Sequence, residues 1–312
     1  MTQITTERAD TAVSGTERSA MQTFDTPEPI TVNLEIGVGD VRITADDRTD
    51  TIVEIRPSNP SKKGDVTAAE QTSVEYSNGR LLIKAPKGWR HLAPWRGGES
   101  IDVRIHLPAG SHLHGEAAVA TLHSTGRLGE GRYKTSVGDI RIDETETAEL
   151  RTVAGDLNVN RVVNGGEFTA GSGALSIGAV GGRAVVKNFN GDIWIGKVGG
   201  DLRVNAANGR IVVEHSLANV MAKTACGEIR LGEVAHGAIV AETAYGEVDI
   251  GIRAGVPAWL DLSTSYGTVR NELDDAERPD PGEDTIEVRA QTSFGNITIR
   301  RPIGIGTEKE EA

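Results

Sequence analysis

The densest run of chemistry-bearing side chains is Lys84 to Arg96 (KAPKGWRHLAPWR), which sets Trp89 and Trp95 among Lys84, Lys87, Arg90, His91 and Arg96 in a chain of formal net charge −12. Aromatic rings beside guanidinium groups combine rigid apolar area with planar donors, the residue types that dominate contact surfaces. They suit an unidentified protein partner first, and a glycan or an anionic membrane surface next. Trp89, Arg90, Trp95 and Arg96 are therefore the candidate partner-binding residues. The competing expectation is that both tryptophans pack as a lid over neighbouring apolar surface. Trp194 is a fifth candidate, because it occupies an outward-facing position in a regular strand, between Ser176 and Val212 on adjacent repeats.

Other constellations are weaker. His112 and His114 alternate onto one face, with His106 and His123 nearby in sequence. Zinc needs three or four converging ligands, however, and nothing fixes the remainder. Acidic residues recur directly after glycines (Asp40, Asp139, Asp156, Asp192, Glu228, Glu247), but Ala174 and Arg210 interrupt the row. Calcium rolls supply several oxygens per ion from tandem Gly-Gly-x-Gly-x-Asp turns, and one acid per turn falls short of that. Ser172 lies in Gly171-Ser172-Gly173, which is not a nucleophile elbow, and the glycine pairs at 165/166, 181/182 and 199/200 open no helix that would cradle phosphate. The expectation is a protein without catalysis, metal or cofactor. The acidic balance also disfavours nucleic acid as a partner.

What positions these residues is a repeat. The phrase Gly, acid, apolar-any-apolar begins at Gly138-Asp139-Ile140-Arg141-Ile142 and recurs from Gly155, Gly173, Gly191, Gly209, Gly227, Gly246, Gly267 and Gly295, at steps of 17, 18, 18, 18, 18, 19, 21 and 28 residues. Counting from each glycine, positions +2 and +4 are apolar, as in Ile193/Ile195 and Ile211/Val213, and positions −7, −5 and −3 alternate likewise, as in Leu202/Val204/Ala206. That spacing predicts two short half-buried strands per unit and leaves no room for a helix within it. The fold class expected is all-β: a parallel β-solenoid of stacked two-strand coils with a period of about 18 residues.

Extending the same parity assigns an inward corner column at −1: Val137, Ala154, Ser172, Asn190, Asn208, Cys226, Tyr245, Tyr266 and Phe294. A threonine column at −3 (Thr135, Thr152, Thr224, Thr243, Thr264, Thr292) also falls inward. Asn271 replaces an apolar +4 residue, and the acidic stretch Glu272 to Asp284 reads as a solvated loop that blunts a sheet edge.

Residues 1–23 are polar without an apolar run, which predicts a disordered leader rather than a signal peptide. Residues 24–110 read as an irregular β cap, with strands at Thr51 to Arg56 and Ile101 to Leu107; residues 111–302 read as regular coils and 303–312 as a disordered tail. No window reaches the apolar length of a membrane span, and the single Cys226 excludes an internal disulfide. A cytoplasmic location follows as the default expectation.

The run Asp102 to Gly110 (DVRIHLPAG), followed by serial glycine-acid phrases, resembles the toastrack family, bacterial β-strand-repeat proteins also called putative adhesins, over roughly Ile30 to Pro302. The resemblance implies a noncatalytic binding or scaffold role, linked to envelope-stress response or to adhesin-like interaction. The rival reading is a carbohydrate-active β-helix enzyme. Such enzymes display groove carboxylates on larger three-sheet coils, and the shorter period argues against it.

Overall fold

The computed structural model describes residues 20–86, 99–273 and 285–302. The chain is an all-β parallel β-solenoid, and it divides into two compact units: Met1–Val163 with Glu167–Gly173, and Asn164–Gly166 with Ala174–Ala312.

In the first unit, β1 (Ala20–Asp25), β2 (Thr31–Asp46) and β3 (Asp50–Pro57) precede a helix, α1 (Lys63–Gln71). Then come β4 (Ser73–Ser77), β5 (Arg80–Lys84), β6 (Ser100–Pro108), the long β7 (His112–Val137), β8 (Ile140–Ala154) and β9 (Leu157–Ser172). β2 is the centre of this arrangement. Along one edge it pairs in parallel with β7 over Thr31 to Ala45, and along the other it pairs with β5 and then β6. Antiparallel strands finish that side: β4 on β5, β3 on β6 and β1 on β3. Alternation sends Val103 and Ile105 of β6 into the core, and in β2 it sends Val32 and Leu34 there and, after its parity shifts across Gly37–Asp40, Val41 as well.

The helix is not legible in the sequence. Gly64, Val66 and Thr67 are indifferent helix formers, and no side chain caps its start. It is held from outside instead: the buried Asp65 accepts the Ser100 N–H at 3.0 Å and lies 3.1 Å from Lys62 Nζ, while Ala68 and Ala69 are buried.

Tyr133 on β7 is fully buried, its ring lying where any side chain at Gly115 would collide with it. Its hydroxyl has no protein partner among the described residues, and burial, followed by the charge of Asp40, pushes its pKa well up. A buried hydroxyl without a partner keeps its desolvation cost, about 1–3 kcal/mol. Tyr133→Phe is therefore expected to leave stability unchanged or to raise it by about 1 kcal/mol in urea titration. A loss of more than about 1 kcal/mol would show that the hydroxyl is bonded after all.

The second unit contains two rows of parallel strands. One row comprises β10 (Leu175–Val180), β12 (Ile193–Val198), β14 (Ile211–Ser216), β16 (Ile229–Val234), β18 (Val248–Ile252), β20 (Val269–Asn271) and β22 (Ile297–Arg300). The other comprises β11 (Ala184–Asn190), β13 (Leu202–Asn208), β15 (Val220–Cys226), β17 (Ala238–Tyr245), β19 (Ala258–Tyr266) and β21 (Ile286–Phe294). In-register pairing stacks like on like, as in Leu175, Ile193, Ile211 and Ile229, all buried.

The stacking order departs from the chain order at one place. β21 pairs with both β17 and β19, and β22 pairs with both β18 and β20. The last coil in sequence is thus inserted between its two predecessors, and among the described residues the coil Ala258–Asn271 forms the end of the stack. The longest step of the repeat, 28 residues from Gly267 to Gly295, coincides with this departure. Of the expected loop at Glu272 to Asp284, residues 274–284 lie outside the described residues, as do most of the expected leader and the tail.

The glycine column is obligatory. Gly209 has φ 131°, and a Cβ there would overlap the carbonyl oxygen of Gly191 on the preceding coil. The −3 threonines face inward as expected, and their hydroxyls bond to backbone rather than to one another. Thr243 donates to Gly227 O at 3.0 Å, Thr292 to Gly246 O at 3.0 Å and Thr264 to Gly295 O at 2.9 Å. Each reaches back one coil, and the last two follow the inserted order.

The −1 column contradicts the inward expectation. Val137, Tyr245, Phe294 and Tyr266 are exposed, and so is the Cys226 thiol. Alternation carries a side chain inward only while the strand stays straight. The turn into the glycine corner begins after −3, so the −1 side chain projects off the edge of the coil.

Candidate functional site

Four of the five sequence candidates, Trp89, Arg90, Trp95 and Arg96, lie outside the described residues. Their flanking Lys84 ends β5 and pairs with Glu35 of β2 at 3.1 Å. Trp194 sits on the outer face of β12, aligned with Ser176 and Val212, and is 42% exposed. Its ring lies back along its own strand over Gly196, where a Cβ would come within 3.1 Å of the indole, and its Nε1 donates to Glu214 Oε1 at 3.2 Å. The indole is therefore anchored by Glu214 on the next coil yet remains open to solvent over much of its surface.

A second aromatic surface was hidden by the parity rule. Tyr245, Phe294 and Tyr266 stack at the corner in that spatial order, with centroid separations of 4.9 and 4.8 Å and interplanar angles of 1° and 4°. They are 58%, 44% and 69% exposed. The shared −1 position signalled that they would stack. It did not signal that they face solvent, or that Phe294 stands between the two tyrosines. The same column continues into polar rungs, where Asn208 Nδ2 donates to Asn190 Oδ1 at 2.9 Å.

The acidic column after the glycines caps backbone. Asp139 Oδ1 accepts the Asp156 N–H and Asp192 Oδ1 accepts the Arg210 N–H, both at 2.9 Å. Arg210, which interrupts the row, pairs with Asp192 at 3.2 Å. Farther along, Asn296 takes the same role, accepting the Thr268 N–H at 3.0 Å and donating to Glu247 at 3.2 Å. These carboxylates are spent on neighbouring coils one by one rather than gathered about a point.

Histidines behave likewise. His112 Nδ1 accepts the Glu130 N–H at 2.8 Å and His114 Nε2 lies 3.1 Å from Glu130 Oε2. The His114 hydrogen bond, helped by Arg132, holds the Glu130 carboxyl below the usual range. His106 and His123 align with Thr44 and Arg42 on opposite edges of β2. Among the described residues no three His, Cys, Asp or Glu side chains converge as metal ligands, and no described helix is long and apolar enough to cross a membrane.

Glycine corners, single-residue caps and in-register ladders of short parallel strands define a class of β-strand-repeat solenoids. The chain belongs to the Toastrack DUF4097 family, whose model matches residues 30–300. No curated protein matches it. Among solved structures it is similar to a "putative adhesin" from Bacteroides fragilis, at 13% identity and TM-score 0.35, covering 93% of this chain and 100% of that one. It is also similar to a "putative cell adhesion protein" from Clostridium sporogenes, at 13% identity and TM-score 0.23, covering 91% and 100%. A "putative lipid binding protein" from Parabacteroides distasonis matches at 12% identity and TM-score 0.32, covering 89% and 96%. Nothing about activity follows from likeness at this level.

Proposed function

We propose that the chain is a noncatalytic binding or scaffold protein that works in the cytoplasm and contacts a protein partner through exposed aromatic side chains. The observation that carries this reading is the Tyr245–Phe294–Tyr266 ladder. Three large rings stay more than two-fifths exposed in a chain with only 4% aromatic residues. Aromatic side chains supply most of the energy at contact surfaces and cost little entropy to immobilise, and the ladder is already ordered by its own stacking. Trp194, and the segment containing Trp89, Arg90, Trp95 and Arg96, are further contact regions in the same proposal. A tie to envelope-stress response would rest on who the partner is.

The test is affinity capture from the native cell with a variant in which Tyr245, Phe294 and Tyr266 are all serine. Because the rings project from the surface, melting should fall by only a few degrees, while capture of the wild-type partners should drop at least about tenfold. A second variant with Trp89, Arg90, Trp95 and Arg96 all replaced by alanine separates the two surfaces. Undiminished capture by both variants would defeat the reading. Turnover of a glycan panel that is lost on a single carboxylate substitution would replace it with the enzymatic one.

A further inference from the structure

The end coil of the second unit is unfinished. Its inward residues Leu260, Leu262 and Thr264 continue the buried columns of Ile239/Val288, Ala241/Ala290 and Thr243/Thr292, yet they are only half-buried, and Val269 on β20 is 46% exposed. Among the described residues β19 and β20 each pair along one edge only. Long free edges usually carry lysine, proline or a bulge that discourages further pairing. β19 (AWLDLSTSY) has none of these, and its one charge, Asp261, is ion-paired with Arg289 of its own chain at 2.9 Å. In the first unit the corresponding side of β2 is closed by β5, β6 and the antiparallel strands beyond them.

We infer that the end coil docks a second copy of this chain, β19 against β19 in antiparallel register about a twofold axis through Leu262. Leu262 is the midpoint of Ala258–Tyr266, so this register pairs all nine residues of the strand. It sets Leu260 against Thr264 and Leu262 against its own copy on the inward face. On the outer face Trp259 meets Ser265 and Asp261 meets Ser263, so no like charges stand opposite one another. A shift of the axis by one residue would place Asp261 against itself or leave a terminal pair unmatched. The second copy extends the aliphatic columns of the core and satisfies the open edge in the same step, as isologous twofold contacts require. The covered end is small, roughly 30 Å of strand by about 10 Å of sheet separation, or roughly 300 Å² per copy. Stable interfaces bury about 1,200 Å² or more in total, so the pairing is reversible and concentration-dependent.

The full chain is tested by analytical ultracentrifugation up to about 100 μM, the range in which weak contacts become populated. The wild type is expected to show a monomer–dimer equilibrium. Leu262→Lys, which sets two ammonium groups opposite each other at a half-exposed site, is expected to weaken dimerisation about tenfold or more with near-native melting. Leu262→Cys in a Cys226→Ser background supplies a second readout, because only an axis at this residue brings the new thiol opposite its own copy and lets an intermolecular disulfide form on oxidation. A wild type monomeric throughout, a Leu262→Lys variant that dimerises like wild type, or a dimer that gives no disulfide at position 262 would each overturn the inference. It does not rest on the aromatic ladder's binding a partner, and loss of partner capture with dimerisation intact would separate the two.

Discussion

Ile193→Asp should unfold the middle of the second unit. Ile193 is 1% exposed and stacked in register between Leu175 and Ile211, with no cation in its column. A carboxylate placed there has neither solvent nor partner and should cost about 3–5 kcal/mol. Because each coil is stabilised mainly by its neighbours, the loss should spread to the adjacent coils. The expected result is a large fall in the denaturation midpoint, or a separate early transition, seen by circular dichroism in urea. Asp192→Asn, one residue away, is the control. Its Oδ1 can still accept the Arg210 N–H, and only an exposed ion pair is lost, so the change should stay within about 0.5 kcal/mol. Equal midpoints for Ile193→Asp and wild type would show that this face does not point inward.

Gly209→Val should be the next most damaging substitution, although it removes no contact. The backbone there has φ 131°, a conformation that β-branched residues scarcely adopt, and the added carbon would overlap the Gly191 carbonyl oxygen. Backbone strain alone is worth about 1–3 kcal/mol, and separating the two coils would add to it. The same substitution at Gly255, also at positive φ but with nothing near its Cβ, isolates the conformational part. Chemical denaturation should rank Gly209→Val well below Gly255→Val, and the reverse order would mean that close stacking at the corner is not what selects glycine.

The sequence disclosed the repeat because each of its causes is local. Period-two burial fixes Ile193 and Ile195, the corner fixes Gly191 and Gly209, and in-register stacking then fixes the columns. The strands at 101–107 and 51–56 are legible for the same reason. The helix Lys63–Gln71 is not, since it is held by Asp65 reaching Ser100, a contact far away in sequence. Parity predicts the outer face for Trp194, and its straight strand keeps it there. Parity predicts the ring ladder inward, but the strand bends before the −1 position and turns the rings outward. The exchanged order of the last coils had no local signal at all: Tyr266 precedes Phe294 in the chain, and only pairing across the stack reveals that Phe294 lies between Tyr245 and Tyr266.

That exchanged order underlies both the exposed ladder and the open end, and amide hydrogen exchange tests it most directly. At a dilution where the chain is monomeric, strand Ile286–Phe294 is enclosed by parallel neighbours on both edges, whereas Ala258–Tyr266 has one. Buried central strands open only with the cooperative unit, while edge strands exchange through small local fluctuations. Amides of Ile286–Phe294 should therefore exchange as slowly as those of Ala238–Tyr245, and those of Ala258–Tyr266 much faster. Slow exchange in Ala258–Tyr266 together with fast exchange in Ile286–Phe294 would mean that the coils stack in chain order, contradicting the account.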